Sequence, residues 1–133
     1  MWFVAHGTHS YPVAIPFALG LAIALAGSGA VVAGRAMRQF RSAETTINPL
    51  QPQDATSLVD TGIFGVTRNP MYLGLLLILS GWAVWLQSAA NVLVLLAFVL
   101  YITFLQIKPE EEALRKVFGQ TYIDYCDRVR RWL

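Results

Sequence analysis

Two groups of residues in this chain have the types and spacing to do chemistry: Arg68-Asn69-Pro70-Met71-Tyr72 and Glu110-Glu111-Glu112. The first reads as a helix start, because Asn is a good N-cap and Pro is favoured at the first helical position. A helix start presents unpaired N–H groups and a partial positive charge, which suit a carboxylate or phosphate. Arg68 adds a cation with a forked donor array. The second group offers carboxylates that can hold an ammonium or ribose hydroxyls. A ligand with both a carboxylate and an amine would span the two groups if they met. Each group also has a purely structural explanation. The first is then a glycine turn, an interfacial arginine and a helix cap. The second is a set of acidic residues stabilising the first turn of a helix through its dipole.

The stretch between the groups decides whether they meet. Residues 69–107 are thirty-nine consecutive positions without Asp, Glu, Lys or Arg. One helix needs ~20 residues to cross the hydrocarbon core, so this stretch is long enough for two crossings. Two crossings return both ends to one face of the bilayer. The first 34 residues also lack these four types, so every such residue lies in 35–68 or 108–133. A soluble surface needs charge throughout, so the partition indicates an integral membrane protein.

The expected fold class is all-α, with about three transmembrane helices in one domain over 1–133. Residues 1–10 form a lead, in which Trp2 and Phe3 suit the interface. Residues 11–34 form the first span, with Pro12 and Pro16 in its first turns, where proline is tolerated. Its glycines and alanines suit close packing of a neighbouring membrane helix, including one from a second copy. Residues 35–68 form a cytoplasmic loop, with Arg35–Arg41 continuing the helix out of the membrane. Asn48-Pro49 and Gln51-Pro52 favour extended or turn structure there, and Gly62 and Gly65 permit unusual backbone angles. Residues 70–107 form a helical hairpin turning at Gln87–Asn91, with Trp82 and Trp85 at the far interface.

Residues 108–133 are expected to form cytoplasmic C-terminal helices. Lys108-Pro109 ends or kinks the hairpin arm, Glu110–Phe118 is a short helix, and Gly119 breaks it. Tyr122, Tyr125, Val129 and Trp132 then form an amphipathic stripe, read as a helix lying on the membrane surface. The arginines at 35, 38 and 41 and at 128, 130 and 131 mark the cytoplasmic side.

Several classes are disfavoured. A net charge of +2 gives no reason to invoke nucleic acid. The single Cys126 rules out an intramolecular disulfide or a multi-cysteine metal site within one chain. His6 and His9 lack a third ligand, so no metal is expected. The N-terminus has no basic region before its apolar run and does not read as a cleaved signal peptide.

The ordered run Asn48-Pro49, Leu58-Val59-Asp60-Thr61-Gly62-Ile63-Phe64, Arg68-Asn69-Pro70-Met71-Tyr72-Leu73-Gly74, Glu110-Glu111, Leu114, Phe118-Gly119, Tyr122, Tyr125, Val129 and Arg131-Trp132 resembles a known superfamily. It is that of the isoprenylcysteine carboxyl methyltransferases and phospholipid methyltransferases, and the likeness is greatest to small bacterial members. It covers about residues 44–133. The resemblance implies a methyltransferase using S-adenosylmethionine, in the bacterial inner membrane, with the cofactor on the cytoplasmic side. By motif, Thr56, Ser57, Leu58 and Val59 would line the adenosine side and Phe64 would pack on the cofactor. Asn69, Pro70, Met71 and Tyr72 would contact its amino-acid or sulfonium end. Glu110 would be the principal carboxylate, with Glu111 beside it and Arg68 bracing the corner.

The implied acceptor is lipophilic: an isoprenylcysteine carboxylate, a phospholipid amine or a similar group. Gln106, with Lys108 nearby, stands where the eukaryotic enzymes have a substrate-orienting arginine. Asn69 stands where many members have His. Members usually carry a further membrane helix before the first span. The substrate tunnel is therefore open here, completed by another chain, or missing. Methyl transfer from a sulfonium needs positioning and desolvation more than a general base, so Arg68 and Tyr72 are positioning candidates and no catalytic base is assigned. The alternatives are a non-catalytic membrane protein that keeps the fold, and a nicotinamide-dependent membrane reductase.

Overall fold

The computed structural model describes residues 1–6, 15–43 and 57–133. They form six α-helices and no strand: α1 (Trp2–His6), α2 (Ile15–Ser42), α3 (Pro70–Trp85), α4 (Asn91–Ile102), α5 (Lys108–Phe118) and α6 (Gln120–Arg128). A 3₁₀ turn covers Gly62–Gly65, and a π turn over Thr103–Ile107 links α4 to α5. Two continuous helices, Pro16–Ser42 and Asn91–Phe118, are long and apolar enough to cross a membrane, and in the second the charge-free part stops at Ile107. The third apolar helix, α3, has 16 residues. At ~1.5 Å per residue it falls short of the ~30 Å hydrocarbon core. Phe17, Ile23, Leu93, Leu96, Leu100 and Leu105 are all exposed, as befits helices whose solvent is lipid.

The small residues of α2 divide into two sets. Gly29, Ala33, Ala22 and Ala26 meet Gly74 and Gly81 of α3, and the backbones nearly touch. A Cβ on Gly74 would sit 2.6 Å from the Gly29 carbonyl oxygen, and one on Gly81 would sit 2.6 Å from that of Ala22. Close approach of this kind is what small residues contribute to packing in lipid, where the hydrophobic effect does not join helices. Gly20, Gly27 and Gly34 form the other set and meet nothing among the described residues.

The hairpin forms as the charge pattern predicts, with its turn at 86–90. Its second arm departs from expectation. Lys108-Pro109 does not end it: the helix runs on from Asn91 to Phe118. Pro109 has no N–H to give the Leu105 carbonyl, and its ring would clash there in a regular α-helix. The π turn accommodates this, and the Lys108 N–H reaches back to the Thr103 carbonyl.

A second difference concerns the stripe after Gly119. Gly119 does break the chain, at φ 54° and ψ −127°, a conformation that favours glycine. The α6 that follows does not lay its apolar face on the membrane. Tyr122, Tyr125 and Val129 are buried against Leu58, Leu114, Phe118 and Cys126. The loop beginning at Ser57 supplies a partner that periodicity alone does not reveal. The helix also stops at Arg128, and Val129 is extended.

Candidate functional site

Asn69 and Pro70 start α3 as expected, but the Asn69 side chain does not cap it. Its Nδ2 donates instead to the Arg131 carbonyl at 2.9 Å. Thr67, fully buried, donates its hydroxyl to the same carbonyl at 3.3 Å. The Arg68 N–H donates to the Arg130 carbonyl at 3.0 Å. The segment after α6 is thus strapped across the corner that opens α3.

The glutamates face different surroundings. Glu111 is buried at the centre of an ion-pair hub. Arg131 forks onto it with Nε at 2.9 Å and Nη2 at 2.8 Å, and Arg68 Nη1 lies 3.3 Å away. These hydrogen bonds hold the Arg131 guanidinium further up from its ordinary pKa. The same Arg68 nitrogen donates to Cys126 Sγ. Both cations of the corner are therefore turned towards Glu111.

Glu110 lies one helical turn after the π turn. Tyr72 Oη and Gln106 Nε2 both donate to its Oε1, each at 2.7 Å. Its Oε2 takes no hydrogen bond from the described residues. Burial pushes the Glu110 pKa up, the bonds from Gln106 and Tyr72 pull it down, and the nearby Glu111 charge adds to the rise. Beside this carboxylate is the first turn of α3. Leu73 is the first amide to bond within it, to Asn69 O, so the Met71 and Tyr72 N–H groups are the orphan donors of a helix start.

The other expected residues take varied positions. Thr56 lies outside the described residues. Ser57 Oγ donates to the Ala43 carbonyl, Leu58 joins the Tyr122–Tyr125 core, and Val59 is half-buried. Phe64 is buried edge-on against Phe40, centroids 4.8 Å apart, and its carbonyl accepts the Tyr125 hydroxyl at 2.8 Å. Burial pushes the Tyr125 and Tyr122 phenols up. Met71 is half-buried and Pro70 buried. Lys108 is exposed, its ammonium 4.1 Å from the centre of the Phe104 ring.

Four participants were not singled out as site residues from composition and spacing: Thr67, Thr103, Arg131 and Trp132. In the sequence, Arg131 and Trp132 stand out only as part of the family run and of the basic and apolar patterns. Trp132 Nε1 donates to Thr103 Oγ1 at 3.2 Å. The available signal was the stripe itself, which runs beyond α6 as far as Trp132. An apolar recess of about 270 Å³ between Phe17, Leu21, Val84 and Ala89 lies at the other end of α3, away from Glu110.

Residues 17–121 match the family model described as phospholipid methyltransferase. A Haemophilus influenzae protein, described only as uncharacterized, is 46% identical over 63 residues, which are 47% of this chain and all of that protein. No solved structure matches. The family match takes in α3, the π turn and both glutamates and extends over most of the chain, so the protein belongs to the phospholipid methyltransferase family, membrane-associated methyltransferases.

Proposed function

We propose that this chain takes S-adenosylmethionine between the start of α3 and the start of α5, and methylates a lipophilic acceptor. The observation that carries this reading is Glu110. It is a partly buried carboxylate, held on one oxygen by two neutral donors and with no donor among the described residues on the other, beside the first N–H groups of a helix start. That donor set fits the two charges of an amino acid: Oε2 accepts from the ammonium, and the helix start meets the carboxylate.

When bound, the cofactor supplies an electrophilic methyl group on a sulfonium with a good leaving group. The protein's own residues orient and desolvate. Tyr72 and Gln106 fix the rotamer of Glu110, and Glu111 keeps Arg68 and Arg131 away from the Glu110 carboxylate. The acceptor arrives from the lipid side as a phospholipid amine, an isoprenylcysteine carboxylate or a similar nucleophile. The arginines of α2 and of 128–131 support a cytoplasmic face for this site, in a bacterial inner membrane.

Isothermal titration with S-adenosylhomocysteine in detergent or nanodiscs tests the reading. Binding is expected, and Glu110→Ala and Tyr72→Ala should weaken it far more than Glu112→Ala. Absence of binding by folded protein, or binding of a nicotinamide cofactor instead, overturns the proposal.

A further inference from the structure

We propose that Trp132 is a positioning residue for Gln106 and Glu110, acting by pinning Thr103, the residue whose carbonyl closes the π turn. The inference rests on the reading of Glu110 as the carboxylate that holds the ligand.

A π turn is rare and costs hydrogen-bond quality, so something must keep it in place. Pro109 does half of this. With no N–H, it forbids a regular α turn at its own position, but it does not decide where upstream the wide turn begins. Thr103 makes that choice. Its carbonyl accepts the Lys108 N–H, five residues on. Its hydroxyl accepts the Trp132 indole N–H at 3.2 Å. One residue therefore bears both the backbone bond that defines the turn and the side-chain bond that ties it down.

Gln106 lies inside that turn, and Glu110 stands four residues further on. Their mutual bond and the bond to Tyr72 depend on where the turn falls. The strap that carries Trp132 is itself anchored at the opposite wall. The Arg130 and Arg131 carbonyls are held by Arg68, Asn69 and Thr67 beside α3. Residues 130–132 thus measure the distance from the start of α3 to the π turn. They tie together the two walls between which Glu110 and Tyr72 meet. The bond from Trp132 goes to Thr103, and through it Trp132 acts on Gln106 and Glu110.

The test uses the full chain in nanodiscs. Trp132→Phe keeps the ring and removes the N–H; Thr103→Val keeps the shape and removes the hydroxyl; Thr103→Ser retains it. Each change is read by titration with S-adenosylhomocysteine and by amide hydrogen exchange over 103–110. Trp132→Phe and Thr103→Val should each weaken binding by about tenfold, the scale of one lost hydrogen bond, and speed exchange over 103–110. The double variant should lose no more than either single one, because both remove the same bond. Thr103→Ser should behave as wild type. A fall in thermal stability with unchanged affinity and exchange overturns the inference, because a merely structural tie would behave that way. Wild-type protein that fails to bind overturns the reading of Glu110 and this inference with it. Wild-type binding that survives both substitutions overturns this inference alone.

Discussion

Tyr72 Oη and Glu110 Oε1 share a 2.7 Å hydrogen bond across 38 residues of sequence, joining the first turn of the hairpin to the helix that leaves it. Tyr72→Phe deletes this bond and leaves the ring packed. Glu110 then keeps Gln106 alone, and its rotamer loosens. Affinity for S-adenosylhomocysteine should drop by about tenfold with little change in thermal unfolding. Titration and a melting curve on the same sample separate the two effects, and unchanged affinity would detach Tyr72 from the site.

The raised pKa of Glu110 makes binding sensitive to acid. An acid whose pKa is pushed up gains its proton earlier as pH falls. A protonated Glu110 no longer attracts an ammonium. Affinity for S-adenosylhomocysteine should therefore decline as pH falls, starting above the range of an ordinary carboxylate. Glu110→Gln should bind weakly with a flat profile. A wild-type profile as flat as that of the variant would exclude Glu110 as the titrating group.

Glu111 should be a stability residue. Glu111→Gln leaves two guanidinium groups without their shared carboxylate. Breaking a buried pair costs up to ~5 kcal/mol, but Arg131 is 34% exposed and partly screened by solvent. A loss of about 2–3 kcal/mol is expected, seen as a lower melting temperature in detergent. Glu112→Gln, at an exposed position, should melt with the wild type.

The backbone contact between α2 and α3 gives a sharp contrast between glycines. Gly74→Ala places a methyl 2.6 Å from the Gly29 carbonyl and 2.9 Å from the Ala33 side chain. The helices must part, at a cost of about 1–3 kcal/mol by analogy with overpacked cores. Gly27→Ala meets open space and gains helix propensity, so it should be neutral or slightly stabilising. Thermal unfolding of the two variants side by side decides it.

The charge-free run 69–107 was enough to foresee the hairpin, because absent charge over such a length has few explanations. Asn69-Pro70 likewise announced the start of α3. Spacing alone does not separate the roles of Glu110 and Glu111; the family resemblance ranks Glu110 first but gives Glu111 no ion pair of its own. The two differ by one position on one helix, and their surroundings come from Arg131 and Tyr72, distant in sequence. Pro109 advertised a disturbance but not its form, since a break, a kink and a π turn all satisfy a missing N–H. The stripe from Tyr122 to Trp132 showed its spacing without its partner. A membrane surface and a protein core ask for the same apolar face, and Leu58 settles it only once the loop is folded. Asn69 read as a cap because that is the common role of Asn before Pro; the nearby Arg131 carbonyl claimed its amide instead.

The π turn makes the helix from Asn91 to Phe118 sensitive to length as well as to composition. Each residue added to or removed from an α-helix turns everything after it by ~100°. Replacing one apolar residue with another between 91 and 102 changes what the lipid touches and leaves the orientation of Glu110 intact. Removing a single residue between 91 and 102 would swing Glu110 about a quarter of a revolution away from Tyr72, because Pro109 keeps the wide turn from closing to absorb the loss. The apolar arm therefore carries angular information. Substitutions there tune the exterior, whereas insertions and deletions re-aim the site.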